Sequence, residues 1–120
     1  MKVQSYKELN VWQKGIEIVD KVYQLTERFP KAELYGLVTQ LRRAAVSVPS
    51  NIAEGFARQY TKEYAQFLYI SLGSCSELET QLIIAQRREY VSEKELKEAG
   101  EMLDHESRML ANLLKSLSVK

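Results

Sequence analysis

Apolar residues recur at steps of three and four along four long stretches of the chain, and short polar or proline-bearing segments separate them. That spacing is the signature of amphipathic helices. In the first stretch Trp12, Ile16, Val19 and Tyr23 make one stripe, and Ile18, Val22, Leu25 and Phe29 make a second beside it. Together they predict a helix from about Val11 to about Phe29 with a broad apolar face. Asn10 and Gln13 resemble a capping box at its start, and Pro30 prevents its continuation. The following connection has room for a 3₁₀ turn at Lys31 to Leu34, as the lead-in before residue 10 has for one short turn.

The second stretch predicts a helix over about 36–58. Leu41, Ala45, Val48, Ile52 and Phe56 line one face, and small residues such as Ala44, Ser47, Ser50, Ala53 and Gly55 fill much of the rest. Pro49 sits in its middle, where a proline removes one backbone bond and costs ~3 kcal/mol or more. The apolar register continues on both sides, so one helix kinked at Pro49 is expected, with water or the Ser50 or Asn51 side chain serving the Ala45 carbonyl. The alternative is a true break with Ser47 or Ser50 as a new cap.

The third helix is expected from about Lys62 to about Arg88, capped by Thr61, with Tyr64, Leu68, Ser71, Cys75, Leu78, Leu82 and Ala85 on its stripe. Gly73 lies in its interior, where glycine costs ~1 kcal/mol relative to alanine, so close packing is the expected reason for it. Ser92 and Glu95 form a capping box for a fourth helix, about Glu93 to about Leu117. Leu96, Ala99, Leu103, Leu110, Leu114 and Leu117 mark its apolar face. Glu93, Glu98, Glu101, Asp104 and Glu106 are expected on its exposed side. Short connections between long helices make neighbours antiparallel. The expected fold is all-α: an up-down-up-down four-helix bundle, one domain over 1–120.

Composition sharpens this only by exclusion. At 120 residues, 45% hydrophobic and 28% charged, the chain suits one globular domain. A net charge of +1 creates no global field toward nucleic acid or membrane, so any such binding needs a local patch. No apolar run approaches the ~20 residues that span a bilayer. The start, Met1 to Tyr6, lacks the apolar core of a signal peptide, and the cytoplasm is the expected compartment. A single cysteine forms no internal disulfide.

Candidate chemistry is sparse. Arg42, Arg43, Arg58 and Lys62 face only Glu54 within 37–62, and Arg87 with Arg88 adds a second basic pair. Arginine suits bidentate phosphate contacts, so these six residues are the candidate nucleic-acid site. The competing reading pairs Arg42 or Arg43 inside the bundle with Glu54, Glu77 or Glu79 and leaves the others solvated. Seven tyrosines and Trp12 exceed what one small core needs, which points to self-association. No catalytic residue, cofactor, metal site or small-molecule substrate is expected. A di-iron centre would need Glu-x-x-His on two helices, but His105 is the only histidine and Met102 precedes it by three. Glu101 with His105 reads as a surface pair, and Cys75 as a buried packing thiol.

Trp12-Gln13-Lys14, Leu34-Tyr35-Gly36-Leu37, Gln40 to Ala45, Val48-Pro49-Ser50-Asn51-Ile52-Ala53-Glu54-Gly55 and Gly73 to Leu82 stand in order along nearly the whole chain. In these runs it resembles the bacterial four-helix-bundle proteins encoded in intervening sequences of large-subunit ribosomal RNA genes. Members are similar in fold to the accessory protein of diversity-generating retroelements, which works with a reverse transcriptase and RNA. The resemblance implies a homo-oligomer, with a pentameric ring the best-known arrangement, and no established enzymatic activity. The expectation is therefore a non-enzymatic oligomeric scaffold that binds RNA or an RNA-processing partner. The runner-up is a purely structural self-assembling bundle with a protein target.

Overall fold

The computed structural model describes residues 3–118, so the first two positions of the expected lead-in and the last two of the expected domain lie outside the described residues. Four long helices carry the fold: α1 (Asn10–Thr26), α2 (Thr39–Phe56), α3 (Thr61–Arg87) and α4 (Glu93–Leu117). Each packs on the next and α4 closes on α1, giving a four-helix bundle of 47 × 23 × 23 Å. Among the described residues there is no strand, and no helix long and apolar enough to cross a membrane.

The helix ends show which local signals prevail. Ser92 and Glu95 form the expected capping box at α4. The Asn10 and Thr61 caps do not form: each is the first residue of its helix, preceded by Leu9 and Tyr60 with no side-chain cap. Gln13 instead donates to the Lys7 carbonyl at 2.9 Å, tying α1 to a 3₁₀ turn at Tyr6–Glu8 whose own capping box is Ser5 with Glu8. Helix α1 stops at Thr26, short of Phe29, where the Thr26 hydroxyl donates to the Val22 carbonyl at 2.7 Å. Between Pro30 and α2 lie a 3₁₀ turn (Lys31–Glu33) and a π-helical turn (Leu34–Val38). The Glu33 carboxylate accepts from the Leu37 amide at 3.1 Å and from the Tyr90 hydroxyl at 3.0 Å, joining the two connections at this end of the bundle.

Helix α2 runs unbroken through Pro49, so neither Ser47 nor Ser50 starts a new helix. Asn51 does not serve the Ala45 carbonyl; it donates to the Ser47 carbonyl at 2.8 Å and hydroxyl at 2.9 Å. Helix α3 ends in a Schellman motif, with Tyr90 N–H donating to the Ala85 carbonyl and Glu89 N–H to that of Gln86, both at 2.9 Å. Glu89 occupies its left-handed position at φ 65°.

The core follows one stripe per helix: Ile18, Val22 and Leu25; Leu41, Ala45, Val48 and Ile52; Leu68, Cys75, Leu78 and Leu82; Leu103, Leu110 and Leu114. Of the two stripes expected on α1, the second forms the core. The first lies on its flank, with Ile16 and Tyr23 exposed. Two further expectations fail. Gly73 packs against nothing: a Cβ built there meets no atom within 4 Å. Glu106 is not on the exposed acidic side but fully buried, because its spacing from Leu103 and Leu110 places it on the core stripe.

Candidate interaction surfaces

Helix α3 is apolar on more than its core side. Tyr69 is 62% exposed, Ile70 50%, Ile83 41% and Ile84 45%. At 100° per residue they form two outward rows. One row holds Ile70, Gly73, Glu77 and Ile84. It lies on the α2 side, since neighbouring Ser71 donates to the Val48 carbonyl at 2.8 Å and Ser74 to the Ser47 hydroxyl at 2.9 Å. The other holds Lys62, Tyr69, Ser76, Ile83 and Arg87. It borders a groove of about 290 Å³ shared with α4, lined by Tyr69, Leu72, Ala111, Leu114, Lys115 and Ser118. The single stripe expected on α3 does not include these outward rows. Apolar residues at all angles of the helix were the available signal.

The six predicted basic residues do not form one cluster. Arg42 is a clamp between α1 and α2: its guanidinium lies 4.4 Å from the Tyr23 ring centre, and its Nε donates to Thr26 Oγ1 at 3.0 Å. Neither Glu54, Glu77 nor Glu79 is its partner in these contacts. Arg43 faces solvent. Arg58 pairs with Glu54 at 3.0 Å and covers the Phe67 ring at 4.8 Å. Lys62 is exposed in the first turn of α3, and Arg87 and Arg88 are exposed at its far end. At 1.5 Å per residue, Lys62 and Arg87 stand about 38 Å apart along the helix. Basic charge is therefore displayed at both ends of the bundle, with Arg43 between them.

Polar residues join α2 to α3. Ser47, Asn51, Ser71 and Ser74 satisfy one another and the Val48 carbonyl. Glu106 lies in the same part of the bundle, 0% exposed, and neither of its oxygens has a hydrogen-bond partner. Burial pushes its carboxyl up to about 8, opposed by Lys14 and reinforced by Glu17. Burial likewise pushes the Cys75 thiol up to about 12, which suits a packing residue and not a nucleophile. Glu101 and His105 are exposed on α4. Among the described residues, no group of three His, Cys, Asp or Glu side chains is placed to hold a metal ion.

A family model described as the 23S rRNA-intervening sequence protein matches residues 7–112. Among solved structures, the chain is similar to a Bacteroides thetaiotaomicron VPI-5482 protein of the S23 ribosomal protein family, described as having unknown function. The two share 21% identity over 88% of this chain and 95% of that one, with a TM-score of 0.81. That likeness shows the fold. No curated protein matches the chain.

Proposed function

The chain belongs to the 23S rRNA-intervening sequence protein family, and from that premise we propose a non-enzymatic homo-oligomeric scaffold that binds RNA or an RNA-associated protein. The carrying observation is the outward face of α3, where Tyr69, Ile70, Ile83 and Ile84 are open to solvent around Gly73. Exposed large apolar side chains gathered on one face of a helix mark association sites. A second copy covering it removes the apolar area from water, and the absent side chain at Gly73 lets a neighbouring backbone come close. The favoured assembly is the pentameric ring implied by the family resemblance, in the cytoplasm and free of membrane.

Assembly multiplies the basic ends. Arg43, Arg58, Lys62, Arg87 and Arg88 recur in each copy, and several weak phosphate contacts on one rigid body act together through effective concentration. Light scattering on the purified protein tests the assembly. A mass several times that of the chain is expected, and the double change Ile70→Glu, Ile84→Glu should reduce it to the monomer while keeping helical circular dichroism. A monomeric parent protein at micromolar concentration refutes the scaffold. RNA binding should be detectable at low salt and weaken steeply as salt rises. Changing Arg58 and Lys62 to Gln should flatten that dependence. An assembled protein without salt-sensitive RNA binding points to the purely structural bundle with a protein target.

A further inference from the structure

Glu106 stands where three helices meet and nothing is offered to it. On α1 it faces Gly15: a Cβ built there would lie 3.4 Å from Glu106 Oε2 and 3.2 Å from Pro49 Cβ on α2. Glycine has no side chain to donate and proline has no N–H, so neither residue at this contact offers the carboxyl a donor, and both of its oxygens are without a hydrogen-bond partner. The ionisable groups acting around it come from α1 and α3. On α1 these are Lys14, attractive, and Glu17, repulsive. On α3 the group is Cys75. Beside Gly15, α2 brings the Pro49 ring to this contact. An ionised carboxylate without partners is costly in such a place, so the closed bundle holds the neutral acid. Lys14 meanwhile sits at the edge of the junction, its side chain 22% exposed, paired at 3.2 Å with Glu17, whose side chain is 60% exposed.

We infer that Glu106 is a protonation switch at the α1–α2–α4 junction: it packs as the neutral acid, and on losing its proton to solvent it draws Lys14 of α1 away from Glu17 toward its own carboxylate on α4, at a net cost in stability. The exchange trades a weak surface pair for one that neutralises a buried charge. Its sign follows from linkage. The unfolded chain loses this proton near the ordinary glutamate value of 4.5, whereas the fold keeps it up to about 8. Between those values the native state binds more protons, so stability is full below the window and is lost as pH rises through it. The thiol of Cys75 loses its proton only above this window.

Carboxyl carbon NMR of the full chain reads the Glu106 titration directly, and urea unfolding from mildly acidic to mildly alkaline pH reads its linkage. The expected Glu106 midpoint lies far above that of the exposed glutamates, and the unfolding constant rises by up to about tenfold per pH unit inside the window. Glu106→Gln should flatten that rise. Lys14→Met, a change at the surface edge, should move the midpoint higher, and Glu17→Gln should move it lower. A purely structural Lys14–Glu17 pair would leave the Glu106 titration untouched. The inference is overturned if Glu106 titrates with the exposed glutamates, or if Lys14→Met leaves its midpoint in place. Those two readings stand even if Glu106→Gln does not fold.

Discussion

Replacing Gly55 with alanine introduces one methyl group where α2 lies close against α3. The new Cβ would lie 2.7 Å from Phe67 Cβ, 3.1 Å from Tyr64 Cδ1 and 3.2 Å from the Tyr64 carbonyl oxygen. Ordinary carbon contacts begin near 3.5 Å, so the shortfall is on the order of 0.8 Å. The obstructing atoms include a backbone oxygen and a Cβ, neither of which can rotate away, so α3 itself must move. Overpacking of this kind costs about 1–3 kcal/mol. Alanine returns up to ~1 kcal/mol of helix propensity, leaving a net loss of about 1 kcal/mol. With unfolding entropy near 2.1 cal/mol/K per residue, a chain of 120 residues should melt about 4 °C lower. Gly73→Ala is the control on the neighbouring helix. Nothing obstructs it, so propensity alone acts and the monomer should melt about 4 °C higher. Thermal melts by far-UV circular dichroism, run on the Ile70→Glu, Ile84→Glu background to hold the assembly state constant, compare the two. If Gly55→Ala melts at or above its parent, the close α2–α3 approach is wrong.

Three further substitutions follow from the structure. Arg42→Gln should destabilise by about 1–2 kcal/mol, because the stack on Tyr23 and the bond to buried Thr26 are lost, whereas Arg43→Gln should leave urea unfolding unchanged within about 0.5 kcal/mol. Equal effects would refute the clamp. Glu89→Gly should stabilise by roughly 1 kcal/mol, since φ 65° strains a side-chain-bearing residue at a Schellman position that favours glycine; a lower unfolding midpoint would count against that geometry.

The readable and unreadable parts of this chain divide by the range of the interaction. Helix α4 begins where Ser92 and Glu95 predict, because the capping box closes within four residues. The core stripes of α2, apart from Phe56, and of α3 also hold, because a 3.6-residue period belongs to the chain itself. The same local chemistry misplaced the caps at Asn10 and Thr61, where Leu9 and Tyr60 precede the helices without a side-chain cap. Gln13 found a competing acceptor in the Lys7 carbonyl. The connection from α1 to α2 took a π-helical turn held by Glu33, whose second bond goes to Tyr90 of the α3–α4 connection, 57 residues away in the chain.

Three residues mark where periodicity stops being informative. Glu106 has the spacing of a core residue and the chemistry of a surface one; its neighbours Gly15 and Pro49, on two other helices, leave it buried and unpartnered. Arg42 is a basic residue in any sequence reading, and only the arrival of Tyr23 and Thr26 from α1 turns it from a phosphate contact into a clamp. Gly73 signals that a side chain is absent but not which side of the helix is open. The hydrophobic period sets how each helix turns its own face, since that face is written within one turn of the chain. Which residues meet across the bundle depends on the axial offset and rotation of one helix against another. Those are set by the packing of all four together, so the buried acid, the clamp and the open face of α3 belong to the tertiary structure alone.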